Sequence, residues 1–340
     1  MTLRKIIFSI LVFSLTFVSC KIRKQDPAEP VLQASKMAGY RTVPDITEND
    51  IYWHISVLAS DSMQGRRSAS PNEVLAAEYI KERFKSLELK PFNDDFLQNF
   101  PVTVTSAITS KSDPCFSQNV VAYYEANDSI PESDYIVIGA HYDHIGTQTD
   151  GEIIQIYNGA DDNASGVAGI LEIAEKMIAE GKLKYNVIFV AFGAEELGLV
   201  GSNYFCNNPP VPLEKIKLMV NLDMIGRMDS NNSVYINTGK PDDRLSALVD
   251  AIKDSHPDLN TTFSFDFIMM GSDHTPFHNK NIPVLFFITG LHSDYHKPTD
   301  TIDAINFKGT KLLLDFVYDL VISPAMDDCI RSFTSSEVNP

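Results

Sequence analysis

Apolar positions along this chain switch between helical spacing and short unbroken runs, and the switches predict its elements. From Asn49 onward, Ile51, His54, Ile55 and Leu58 fall at helical spacing, and a second helix is expected from about Pro71 to Leu87. Tyr135 to Ala140 reads as a short buried strand. Val167, Ile170, Leu171, Ala174, Met177 and Ile178 then mark one face of a helix that stops near Gly181. Tyr185 to Phe192, Lys217 to Leu222, Val234 to Asn237 and Pro283 to Ile288 read as further strands, with helices at about 241–254 and 307–321. Strands alternating with helices predict an α/β fold, a three-layer sandwich with a mostly parallel, mixed central sheet flanked by helices. Ligands of such sheets gather beyond the carboxyl ends of the strands.

The N-terminal apolar run differs from all of these. Arg4 and Lys5 precede Ile6 to Val18, a stretch too short to span a membrane and suited to the core of a signal peptide. It ends in FVSC, which resembles a bacterial lipobox with Cys20 as the lipid-bearing residue, although Phe17 replaces the usual Leu. The expectation is a signal peptide over 1–19 and a polar, proline-bearing tether over 20–47. The main folded domain should follow over 48–328, with a short tail over 329–340. Export to the periplasmic side of a bacterial membrane follows, lipid-anchored at Cys20. An ordinary secretory signal, giving a soluble periplasmic or secreted protein, is the alternative.

Composition narrows the choice of partners. The net charge of −17 argues against nucleic acid and against an anionic membrane surface, so the lipid anchor is the expected membrane contact. Cys115, Cys206 and Cys329 lie far apart without C-x-x-C spacing, which disfavours a cysteine zinc site and allows at most one internal disulfide.

The chemistry lies in five spaced motifs. AHYDHIG carries His141 and Asp143, and in an extended segment the two side chains share a face, so Asp143 can accept from the His141 ring. His144, next to them, reads as structural. GADDNASG places Asp161 and Asp162 at a helix start, where capping is the plain explanation and a bridge between two metals, through Asp161, the functional one. GAEELG follows a strand with Glu195 and Glu196, whose side chains point in opposite directions, so that one can bind metal while the other faces a reacting water. Asp223 sits in the apolar run VNLDMIG, where an unpartnered carboxylate is costly. His296 follows Tyr295 in DYHKPTDT. The inventory can hold two metal ions about 3.5–4 Å apart.

In this order the motifs resemble the M28 metallopeptidases, the co-catalytic zinc aminopeptidases, over roughly residues 48–325, including ISVLASDSMQGRRSASP and GSDHTPF. The resemblance implies two zinc ions, or other divalent metals. One is held by His141, Asp161 and Asp223, the other by Asp161, Glu196 and His296. It implies Glu195 as general base, Tyr295 polarising the scissile carbonyl, and a cis peptide between Asp161 and Asp162. Ser272, Asp273 and His274 match a motif near the substrate pocket, and Gly271 stands where some members have arginine. The implied reaction removes N-terminal residues from peptides. Glutaminyl cyclases share the fold but resemble a one-metal site, whereas both His141 and Asp223 are present here. M20 metallopeptidases insert a lid domain for which the interval from Asp223 to His296 leaves little room. A non-catalytic peptide-binding lipoprotein is the reading outside enzymes. Oligomeric state is left open.

Overall fold

The computed structural model describes residues 42–105, 112–126, 134–181, 185–265 and 271–336, so the expected signal peptide, Cys20 and most of the tether lie outside the described residues. Its centre is a mixed eight-stranded sheet in the order β1 (Leu97–Thr105), β2 (Ser112–Tyr124), β6 (Asn186–Phe192), β3 (Tyr135–His141), β7 (Ile216–Leu222), β10 (Val284–Ile288), β8 (Ser233–Asn237) and β9 (Asn260–Phe263). Strands β6, β3, β7 and β10 run parallel side by side, and antiparallel partners flank this core at β2 and β8. Every residue of β6 is buried, as its unbroken apolar sequence requires of a strand covered on both faces.

Helices form the outer layers. One face of the sheet is covered by α1 (Glu48–Leu58), α2 (Pro71–Ser86), α3 (Gly166–Glu180), α5 (Asp243–Lys253), α7 (Phe307–Ile322) and α8 (Pro324–Ser336). The other face packs against Phe205 and Cys206 of α4 (Val200–Asn207) and Phe277 of α6 (His274–Asn279). The local reasons are visible in the caps. Thr47 accepts the Asp50 N–H and starts α1, Ser70 followed by Pro71 starts α2, and Gly181 takes a left-handed φ of 60° that ends α3. Phe189 of β6 is fully buried beside Phe84 of α2. Phe189→Ala should cost about 3–5 kcal/mol of unfolding free energy, measured by urea denaturation.

The strands and helices expected from periodicity all form. The edge hairpin β1–β2 has no counterpart in that expectation. Pro101 lies within β1, which is tolerable because β1 is an edge strand. A second hairpin, β4 (Gly146–Asp150) with β5 (Ile153–Tyr157), projects from the segment between the first two motifs. Ile46 is fully buried, and Cys329, Ile330 and Phe333 of α8 join the main core. Cys115, Cys206 and Cys329 are buried. Among the described residues no helix is long and apolar enough to cross a membrane.

Candidate metal centre and active site

The functional side chains converge at the carboxyl ends of the parallel strands. His141 ends β3, Asp223 follows β7, Glu195 and Glu196 follow β6, and Tyr295 and His296 lie in the loop after β10. Asp161 and Asp162 occupy an irregular turn, Ala160–Ser165, that feeds α3. Asn163 fastens this turn to the end of β7. Its Oδ1 accepts the N–H groups of Gly166 and Met224, and its Nδ2 donates to the Leu222 carbonyl at 2.9 Å. Gly166 permits the approach, since a Cβ there would lie 2.3 Å from that carbonyl. A cleft opens over the cluster, lined by His141, Asp162, Glu195, Glu196, Asp223, Tyr295 and His296 together with Met224, Phe286 and Ile288.

Two donor sets share one carboxylate. Nε2 of His141 lies 3.4 Å from Asp162 Oδ1 and 3.4 Å from Asp223 Oδ1. Nε2 of His296 lies 3.2 Å from Asp162 Oδ2 and 3.3 Å from Glu196 Oε1. Ligands about 2.0–2.1 Å from a tetrahedral zinc stand about 3.3–3.4 Å from one another, so both sets have the spacing that such an ion needs. Asp162 Oδ2 and Asp223 Oδ1 are buried without a hydrogen bond of good geometry. Buried carboxylate oxygens of this kind call for a cation.

The carboxylate shared by the two sets belongs to Asp162, and this corrects the sequence expectation for Asp161. Asp161 points the other way. Its Oδ1 accepts the Gly226 N–H at 2.6 Å and the Ser165 hydroxyl at 3.1 Å, and its Oδ2 lies 3.1 Å from Nε2 of His292. The cis peptide likewise joins Asp162 to Asn163 rather than Asp161 to Asp162. Two adjacent aspartates on a turn look alike in sequence, and the backbone path decides which one faces inward.

Asp143 also differs from its expected role. Nδ1 of His141 donates to the backbone carbonyl of Asp143 at 3.1 Å, which leaves Nε2 facing the donor set, while the Asp143 carboxylate is 3.8 Å from the ring. That carboxylate instead accepts the backbone N–H groups of Glu195 at 3.0 Å and Glu196 at 3.3 Å, and the Ser68 hydroxyl at 2.6 Å. It therefore fixes the loop that carries both glutamates. His144 is a residue that sequence reasoning set aside. Its Nδ1 is 3.0 Å from Glu196 Oε1 and 3.6 Å from Asp162 Oδ2, beside the position that His296 occupies from the opposite side. Ser272 donates to Asp223 Oδ2 at 2.7 Å and receives Asn221 Nδ2, so part of the SDH motif orients a site carboxylate.

Electrostatics separates the two glutamates. Burial, reinforced by Asp273, Asp223 and Glu196, raises the Glu195 carboxyl well above the ordinary range, with the His141 charge opposing. Burial would also raise Glu196, but the His144 and His296 imidazoles outweigh it and hold this carboxyl at about 2. The Asp162 carboxyl is held well below its usual range against burial by His144, His141 and His296. Burial opposes a proton on His296, yet Asp162 and Glu196 raise it to about 10. The cluster therefore draws positive charge to itself, and Glu195 is the carboxylate best placed to take a proton. Tyr295 stacks on His296 with ring centroids 3.8 Å apart, and its hydroxyl is pushed up chiefly by burial.

The sequence model of peptidase family M28 matches residues 119–321. Aminopeptidase YwaD of Bacillus subtilis is 30% identical over 202 residues, a match covering 56% of this chain and 41% of that protein. Among solved structures, BSAP, a zinc aminopeptidase from Bacillus subtilis, superimposes with a TM-score of 0.65 at 18% identity, covering 82% of this chain and 96% of that one. A Porphyromonas gingivalis glutaminyl cyclase gives a TM-score of 0.61 at 18% identity, covering 81% and 97%. At these identities the structural likeness establishes the fold alone. The chain spans about half the length of the curated relatives it matches. The family match extends over more than half of this chain and over the β3, β6, β7 and β10 segments that carry the donor sets: the chain belongs to peptidase family M28.

Proposed function

We propose that the protein is a zinc-dependent aminopeptidase with two metal positions. The observation that carries this reading is the pair of donor sets sharing Asp162, with Glu195 beside them in the same cleft. His141, Asp162 and Asp223 would hold one zinc, and Asp162, Glu196 and His296 the other. His296 is preferred over His144 because its nitrogen is nearly equidistant from Asp162 and Glu196, whereas His144 is hydrogen-bonded to Glu196 and orients it. Zinc bound there supplies Lewis acidity toward a carbonyl and lowers the pKa of water.

The chain's own groups handle the proton and the orientation. Glu195 takes the proton of the attacking water and delivers it to the leaving amine, a task favoured by its raised carboxyl pKa. Tyr295 lines the cleft, and its hydroxyl would donate to the scissile carbonyl oxygen. The surplus of carboxylates around Glu195 and Asp223 suits a free α-ammonium group at the substrate terminus, which favours an aminopeptidase over a carboxypeptidase. Met224, Phe286 and Ile288 give the cleft an apolar wall for the side chain beside it.

Metal analysis and turnover of aminoacyl-p-nitroanilides, before and after chelation, test the reading. The expected result is about two zinc ions per chain and activity that disappears on chelation and returns with zinc. Cyclisation of N-terminal glutamine by a one-zinc protein without amide cleavage would replace it with the cyclase reading. For localisation we propose the exported, lipid-anchored form, on the FVSC sequence. Cys20→Ala should release the protein from membranes in soluble form on fractionation, and unchanged membrane association would rule out the anchor.

A further inference from the structure

Asp161 is buried next to the shared carboxylate of Asp162 and belongs to neither donor set. Its contact with His292 has a defined direction. Nδ1 of His292 accepts the backbone N–H of Asp294 at 3.2 Å. The proton therefore sits on Nε2, which donates to Asp161 Oδ2 at 3.1 Å. His292 lies at the start of the loop that carries Tyr295 and His296. At its far end Asp300 is buried and accepts the N–H groups of Asp161 and Asp162 at 3.0–3.1 Å. Between these ties the loop has no helix or strand, Ser293, Lys297 and Thr299 are exposed, and Arg227 adds a tie by donating to Asp294 at 2.8 Å. Such a segment opens readily unless something pins it.

We propose that the His292–Asp161 hydrogen bond is a positioning strut. It holds the Tyr295–His296 loop against the Ala160–Ser165 turn, so that His296 meets Asp162 and Glu196 with the second donor set already assembled. The strut rests on the reading of His296 as a ligand given above. Its benefit is preorganisation: a loop ordered in advance loses less conformational entropy when the site is filled. The partners are well placed for this. Asp161 is held from its other side by Gly226 and Ser165, so His292 docks on a fixed acceptor.

Two measurements on metal-free protein test the strut. His292 is partly exposed, so its replacement should be compatible with folding. In His292→Leu, amide hydrogen exchange across residues 291–300 should quicken by about tenfold or more, while exchange in β3 and β6 stays unchanged. His292→Gln, whose amide can still donate to Asp161, should exchange like the wild type. In calorimetric zinc titrations, His292→Leu should weaken the His296-side zinc by about 10–100-fold, leave the His141-side zinc within about threefold, and be largely rescued by His292→Gln. Unchanged exchange in His292→Leu, equal weakening at both sites, or a Gln variant as impaired as Leu would overturn the proposal. A wild-type protein that bound a single zinc would instead overturn the reading of His296 as a ligand, while the exchange measurement still decided whether the strut exists.

Discussion

Glu195→Gln is expected to keep both zinc ions and substrate binding while kcat falls by about 10²–10⁴-fold or more, the usual consequence of losing a general base. Gln has the size and polarity of Glu but cannot take a proton. Glu195 is the glutamate that burial and neighbouring acids raise, and it lies outside both donor sets. Glu196→Gln should fail differently. Glu196 Oε1 faces both His144 and His296, so a neutral amide there weakens the His296-side zinc first, and excess zinc should restore part of the activity. Metal analysis and steady-state kinetics on the two variants decide the matter. Metal loss in Glu195→Gln with retention in Glu196→Gln would exchange the two roles. An active Glu195→Gln would sink the mechanism.

Asp162→Asn is expected to abolish tight zinc binding at both positions, whereas Asp161→Asn should keep the zinc held by His141 and Asp223. One Asp162 oxygen faces His141 and the other faces His296, so its charge serves both sets. Losing a shared ligand should exceed the 10–100-fold drop in metal affinity that is typical of an orienting partner. Asp161→Asn disturbs only the acceptor of His292, so its effect should appear at the His296-side zinc and stay within that 10–100-fold range. Zinc titrations of both variants, with circular dichroism to check folding, provide the test. If Asp161→Asn lost both metals and Asp162→Asn neither, the sequence expectation would be restored against the geometry.

The sequence by itself determined the parallel core strands, the main flanking helices, and most residues of the candidate site. Apolar runs such as Tyr135–Ala140 and Asn186–Phe192 can only be buried strands when helices of the observed period separate them. The functional residues stand at their carboxyl ends for that same reason. His141, Glu195, Glu196, Asp223, Tyr295 and His296 are all brought to one cleft. Tertiary structure alone decided the rest. Residues 161 and 162 differ only in backbone direction within an irregular turn, and that direction depends on Asn163 reaching Leu222 and Asp300 reaching the turn from the far side. H-x-D spacing allows a carboxylate to meet the imidazole. In the fold a nearer backbone carbonyl takes that proton, and Asp143 is drawn to the glutamate loop. His292 and Asp300 carry no local signal, because each acts on a residue more than a hundred positions away. Local patterning places side chains at the ends of strands. Which oxygen faces which nitrogen is set by hydrogen bonds between segments distant in the chain, and those exist only once the sheet is assembled.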